Sequence, residues 1–324
     1  MKAVIYKQYG TVDVLRLEEV PKPNPRNNEV LVKVKAVSVN DWEVGLFTGK
    51  PVFMRFFLGW LKPKPQFQCV GCDFSGIVEV VGSNVDAFQI GDEVYGDLSV
   101  CGFGSFAEYF TAPVNALTLK SPQMSFEQAA AIPQAGMLAK QGLYDVTPIK
   151  SGQKILINGA GGGVGTLGIQ MAKQLDIDVT GVDSAGKFDM MRSLGFDHVI
   201  DYEKEDFTKN GQRYDLILDN KMSRSPFVYA KLLKSGGAYI ATGGSMVRVV
   251  QMLLVAKWIK FTQDKITCIV ALKANRDLSY FNELFESEKL DPILDGTFKL
   301  DSAIDAIKYY LTALHKGKVI ISVG

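Results

Sequence analysis

The sequence predicts a two-part α/β chain, an antiparallel barrel-like β domain joined to a doubly wound parallel sheet. Three observations carry this. Short β-rich runs separated by Pro, Gly and Asn clusters fill the chain up to Ser121-Pro122. Beyond that point strands alternate with stretches of helical length, the rhythm of βαβ units. A glycine-rich segment, NGAGGGVG at 158–165, stands between an apolar strand and a helix. At 324 residues the chain is long enough for two domains, each with its own core.

The first runs are KAVIY (2–6), EVLVKVKAVSV (29–39), GIVEVVG (76–82), GDEVYG (91–96) and FAEYF (106–110). PKPNPRNN and similar clusters break them by removing N–H donors or demanding positive φ. Ser125 is placed to cap a helix over the alanine-rich segment that follows. Six further strands are then expected: KILING (154–159), DVTGVDS (178–184), HVIDY (198–202), DLILDN (215–220), AYIATGG (238–244) and ITCIVA (266–271). Helices over 166–175, 187–194 and 225–233 separate them, as in a Rossmann sheet. After residue 271 the alternation stops. Two amphipathic helices, within ANRDLSYFNELFESEKL and over 302–314, precede a last strand, KVIISV (318–323), expected to return to the first domain. The expected domains are 1–120 with 270–324, and 121–269.

Composition narrows function. Thirty-six Lys plus Arg against 35 Asp plus Glu leave a formal charge of +1. That balance gives no footprint for a phosphate backbone, so no nucleic-acid partner is expected. The N-terminal MKAVIYKQYG has no apolar signal core, and no run of about 18 apolar residues occurs. Cys69, Cys72, Cys101 and Cys268 are too scattered for a disulfide framework. The expected location is cytoplasmic.

The glycine-rich segment is the strongest local signal. Glycines let backbone approach a pyrophosphate, which rests on the unpaired N–H groups at the start of the helix. Ala160, Gly161, Gly162, Gly163, Val164 and Gly165 form the expected cradle; Ala160 stands where a fingerprint glycine would. The competing reading is a glycine turn without ligand. At the end of the second strand Asp183, followed by Ser184, suits a ribose 2′-hydroxyl and NADH. Lys187 and Tyr202 offer a cation and a hydroxyl to a 2′-phosphate and NADPH. Asp183 can turn outward into water. Gly243, at the end of the fifth strand, completes the expected cofactor set.

These segments resemble the zinc-free, quinone-oxidoreductase (zeta-crystallin-like) branch of the medium-chain dehydrogenase/reductase superfamily. The resemblance runs through residues 18–40, GCDFSGIVEVVGSNVDAFQIGDEVYG (71–96), GSFAEY (104–109), AAAIPQAG (129–136), NGAGGGVG, SLGFDHVIDY (193–202) and HKGKVIISV (315–323). It implies a GroES-like β-barrel catalytic domain interrupted by a Rossmann domain, NADPH as cofactor, and reduction of quinones or α,β-unsaturated carbonyls. It also implies that Asn40 is the active-site Asn, and that Lys187 and Tyr202 hold the 2′-phosphate. Asp183 departs from the pattern, so NADH remains the alternative.

No zinc is expected. Zinc relatives use Cys, His and Glu ligands, whereas Asn40 stands for the first Cys and Cys72-Asp73 for the His-Glu pair. Cys69 and Cys72 form a C-x-x-C with no second pair, and read as ordinary thiols. His315 reads as a cap of the last helix or as a cofactor contact. Without a metal, electron-poor acceptors suit hydrogen-bond polarisation, with Asn40 the expected donor or a turn cap. The apolar segments 51–61 and 246–261 read as a pocket for a small lipophilic carbonyl or quinone, or as a homodimer interface; membrane-surface contact is not expected. The other class of function is a cofactor-binding scaffold with little turnover.

Overall fold

Alternation along EVLVKVKAVS buries Val30, Val32 and Val34 and leaves Lys33 exposed, so this segment forms the central strand of a sheet. The computed structural model describes Met1–Gly324. One unit comprises Met1–Gln134 with Ala274–Gly324, the other Ala135–Lys273.

In the first unit β1 (Lys2–Tyr6) and β2 (Leu15–Glu19) form an antiparallel ribbon. The main sheet contains β3 (Glu29–Ser38), β4 (Asp73–Val81), β5 (Glu93–Asp97), β6 (Tyr109–Pro113) and β7 (Thr118–Leu119). Of the second unit's strands, β8 (Lys154–Asn158), β9 (Asp178–Asp183), β10 (His198–Asp201), β11 (Tyr214–Asp219), β12 (Leu233–Ala241) and β13 (Ile266–Ile269) follow in order. Then β14 (Leu294–Lys299) and β15 (Lys318–Ser322) rejoin the first sheet, whose order is β14-β15-β3-β4-β5-β7 with β6 also on β3. The expected return of the last strand is thus observed: Ile320 pairs with Ser38 and Ile321 with Val37.

The division differs from the expected boundary at 120/121. Ser125 does cap the helix Phe126–Ala130, its Oγ accepting from Gln128 N at 3.1 Å while Gln128 Oε1 accepts from Ser125 N at 2.9 Å. That helix stays with the first unit: Ala130 and Ala131 pack on Ala36 and Ile320, and Ser75 Oγ donates to Phe126 O at 2.6 Å. At the other end, Lys273 exchanges two hydrogen bonds with the Gln141 side chain and belongs to the second unit.

The second unit's sheet is fully parallel, ordered β10-β9-β8-β11-β12-β13. In sequence rank this is 3-2-1-4-5-6, the doubly wound order, with its switch between β8 and β11. Both faces are covered, so Ile155, Leu156, Ile157, Leu216, Ile217 and Leu218 are all buried.

One buried carboxylate ties three of these strands at their carboxyl ends. Asp219 Oδ1 accepts from Asn158 Nδ2 at 2.8 Å and from Lys221 N and Met222 N. Its Oδ2 accepts from Tyr239 OH at 2.8 Å, and the Tyr239 ring stacks on Tyr229 with centroids 4.3 Å apart. A buried charge without a cation needs such donors. Tyr239→Phe is therefore expected to lower unfolding free energy by about 1.5–3 kcal/mol in urea titration; a change below about 0.5 kcal/mol would show that Oδ2 finds another donor.

Candidate functional site

In the second unit β8 ends at Asn158 and the chain turns through Gly159 at φ +80°. Gly162 caps the helix Gly163–Ala172 with no side-chain bond. Gly161 N is taken by Asp183 and Gly162 N by Gly159 O, which leaves the N–H groups of Gly163, Val164 and Gly165 as the helix's first, without intrahelical acceptors. The glycines differ in purpose. A Cβ on Gly165 would lie 2.4 Å from Ala160 O, so that glycine lets helix and strand approach; a Cβ on Gly162 would meet only Gly159 O, at 3.6 Å, and one on Gly243 nothing within 4 Å. Open space at a helix N-terminus next to free N–H groups fits a pyrophosphate.

Asp183, Ser184, Lys187 and Tyr202 come together because Asp183 and Asp201 are partners in the β9–β10 ladder. Asp183 does not turn outward: it is buried, its Oδ2 accepting from Gly161 N at 2.8 Å and its Oδ1 from Ser184 N at 2.9 Å. Lys187 is buried too, with Nζ 3.3 Å from Asp183 Oδ1. Its side chain covers Gly161, where a Cβ would strike Lys187 Cδ at 2.4 Å. Tyr202 is exposed, and its N–H reaches Asp183 O. The sequence reading missed Asn220, whose Oδ1 accepts from Thr242 Oγ1 at 2.8 Å while its Nδ2 is buried without a partner. It follows β11 at the switch point, so its position beyond a strand end was the available signal.

In the first unit Asn40 lies just beyond β3 and starts the helix Asp41–Thr48, with Glu43 Oε2 accepting from Asn40 N at 2.7 Å. Its Nδ2 donates to Asp73 Oδ2 at 3.1 Å and to Ser38 O at 3.3 Å. Its Oδ1 accepts from Lys318 Nζ at 2.5 Å. An ammonium only donates, which fixes the orientation of the amide. Asp73 Oδ2 also faces Lys318 Nζ at 3.4 Å and Ser38 Oγ, and its Oδ1 accepts from Gln134 N at 3.1 Å. Of the two roles expected of Asn40, the structure shows the place at a helix start, while its amide is held in a buried polar cluster. Lys318 and Asp73 were not singled out from sequence as members of it. Gln134 Nε2 is buried without a partner.

The donor set here does not fit zinc. No group of three or more His, Cys, Asp or Glu side chains is placed to hold a metal ion. The neighbour of Asn40 and Asp73 is itself a cation, Lys318. Burial pushes the Cys69 thiol up to about 12 and the Cys72 thiol well above its usual range, as inert thiols require. His315 stacks on Tyr310, centroids 4.7 Å apart, beyond the helix Ala303–Leu311.

Two more acids crowd this cluster. Asp97 is the direct ladder partner of Asp73. Burial first, and then the Asp73 charge, push its carboxyl from 3.8 up to about 7. Burial raises Glu43 to about 8. Between 3.8 and about 7 the folded chain keeps a proton on Asp97 that the unfolded chain has lost, so stability falls as pH rises through that window. The slope per proton is at most about 1.4 kcal/mol per pH unit. Asp97→Asn keeps an acceptor for Ser99 N, and its Nδ2 can donate to Ser99 Oγ in place of the bond that Oδ2 accepts. Melting followed against pH is expected to fall less steeply in this variant across the window; parallel curves would mean that Asp97 stays ionised.

The fold and these clusters match known proteins. An alcohol dehydrogenase GroES-like domain model matches residues 26–123, and a zinc-binding dehydrogenase model matches residues 194–321. The 2-methylene-furan-3-one reductase of Solanum lycopersicum is 34% identical over 99% of this chain and 79% of its own. The chloroplastic NADPH-dependent alkenal/one oxidoreductase of Arabidopsis thaliana is also 34% identical, with the same coverage. The solved quinone oxidoreductase of Coxiella burnetii superposes with a TM-score of 0.89 at 29% identity, covering 100% of this chain and 99% of its own. The GroES-like and Rossmann parts expected from sequence are therefore present, and the chain belongs to the quinone oxidoreductase branch of the medium-chain dehydrogenase/reductase superfamily.

Proposed function

We propose that this protein is an NADPH-dependent oxidoreductase that reduces α,β-unsaturated carbonyls or quinones without zinc. The observation that carries the reading is the pairing of Asn40 with the Lys318 ammonium, which puts a cation beside Asn40 and Asp73 where zinc-dependent relatives need metal ligands. Names of relatives support it: one is a reductase of a methylene-furanone, another of alkenals and enones with NADPH. A scaffold with little turnover is the alternative.

When bound, the reduced nicotinamide supplies the hydride. The chain's residues do the rest. The N–H groups of Gly163, Val164 and Gly165 would hold the pyrophosphate, and Asn220, next to Gly159, keeps a buried amide donor without a partner. Asp183 keeps two backbone donors if Lys187 leaves it, so the lysine can exchange a 3.3 Å ion pair for a 2′-phosphate. Tyr202 adds an exposed hydroxyl, and Gly243 leaves room beyond the end of β12. An enone or quinone accepts hydride as an enolate or quinolate, whose charge an amide can stabilise and water can protonate. The weak Asn40 bond to Ser38 O, 3.3 Å long, is the one released to a substrate oxygen.

Assembly and place in the cell belong to the same reading. A homodimer is supported by β13, an outer strand whose second edge carries no partner strand. A cytoplasmic location is supported by four cysteines that form no disulfide. No helix is long and apolar enough to cross a membrane.

NADPH oxidation with a panel of quinones, enones and simple aldehydes is expected to show turnover with the first two only; no turnover with any would favour the scaffold. Lys187→Ala is expected to weaken NADPH about ten- to a hundredfold while leaving NADH within a few-fold, and Asp183→Ser to move preference further toward NADPH. Equal losses for both cofactors would give the lysine a structural role and return the preference to NADH. Elemental analysis of purified protein is expected to find no stoichiometric zinc, and one tightly held zinc per chain would overturn that part of the proposal.

A further inference from the structure

The segment from Lys50 to Lys64 puts its largest apolar side chains into solvent. Phe56 and Phe57 are 71% and 70% exposed, Trp60 54% and Leu61 86%, and Val52 and Phe53 are exposed beside them. This is no loose loop. Its inner side is fastened to the first unit: Leu58 is buried in the core, Met54 packs against it, and Tyr9 OH donates to Gly59 O at 2.6 Å. Arg55 stacks on Tyr9 and donates to Thr48 O and Gly49 O. Phe56 and Trp60 pack on each other, ring centroids 4.8 Å apart. A fold that anchors one side of a short segment and exposes six apolar side chains on the other has left a surface for something to cover.

Charge identifies the cover. Lys50, Arg55, Lys62 and Lys64 lie within the segment, and no Asp or Glu occurs between Glu43 and Asp73. In a chain of net charge +1 this is a strong local excess. Lys50, Lys62 and Lys64 are exposed and enter no ion pair. A second copy meeting the patch across a twofold axis would set these lysines against themselves. The other large apolar face in the chain, on the helix Met246–Gln263, exposes Val247, Leu254, Trp258 and Phe261 and carries Arg248, Lys257 and Lys260 without an acid. Joining the two faces would also bring like charges together.

We propose that the Lys50–Lys64 segment is a membrane-docking surface that seats its aromatic side chains in the interface of an anionic lipid bilayer, with the lysines against the headgroups. Aromatic side chains favour that depth, and long lysine stems let the charge stay in water. The sequence reading set a membrane surface aside in favour of pocket or dimer contacts. The inference does not rest on the enzymatic reading.

The test is co-sedimentation of the purified full chain with vesicles of phosphatidylcholine alone and of phosphatidylcholine with phosphatidylglycerol. Binding is expected only to the anionic vesicles, weakening as salt is raised. The variant Phe56→Ser/Phe57→Ser/Trp60→Ser is expected to lower partitioning at least about tenfold, and Lys62→Glu/Lys64→Glu to do the same with the aromatic residues intact. With Trp42 and Trp258 replaced by Phe, emission of Trp60 is expected to shift to the blue on anionic vesicles. Equal affinity for neutral and anionic vesicles, no binding to either, or binding lost in Leu254→Ser/Trp258→Ser but kept in the aromatic variant would each overturn the assignment. So would sedimentation equilibrium showing that the aromatic variant dissociates a dimer.

Discussion

The first unit depends on one buried ammonium. Lys318 Nζ reaches Val39 O at 3.3 Å, Asn40 Oδ1 and Asp73 Oδ2, so a residue near the C-terminus bonds to the ends of two strands far away in sequence. Asp73, Asp97 and Glu43 all lie within this region, and all are driven toward the neutral form by burial. Removing the only cation would leave Asp73 to ionise without compensation, which in a low-dielectric interior is far more costly than the net worth of the pair. The same bond fixes the Asn40 amide. Stability and site geometry are therefore one arrangement.

That arrangement puts an ammonium beside the amide of Asn40 and the carboxyl group of Asp73 at these strand ends. Lys318 is a fixed point charge with three donors. It can orient an amide, but it cannot bind a carbonyl as an electrophilic metal does. Acceptors that spread their own negative charge are the ones that such a site suits.

In the second unit the governing constraint is the doubly wound order. It brings Gly159, Asn220 and the start of the helix Gly163–Ala172 to the switch between β8 and β11, and holds them there through Asp219. Asp183 does a related task one strand away, closing on Gly161 and holding Lys187. Asp183 is thus part of the turn's own framework, which gives an acid at that position a structural reason beside Lys187.

Much of the fold was legible in local pattern. KILIN and LRLEE show why and why not: the first is apolar throughout because both sheet faces are covered, whereas the second alternates charged residues on an exposed ribbon and went unread as β2. β14, LDGTFK, was missed likewise, being an outer strand with few apolar positions. Sequence alone determined the parallel sheet, the glycine turn between β8 and its helix, the Ser125 cap and the return of the last strand, because each follows from periodicity or from the conformational needs of one residue type. Tertiary structure alone decided that Lys318 meets Asn40 and Asp73, that Asp183 turns inward, and that Phe56, Phe57 and Trp60 face water. Those outcomes depend on which distant segments share a low-dielectric space, and spacing along the chain carries no measure of that.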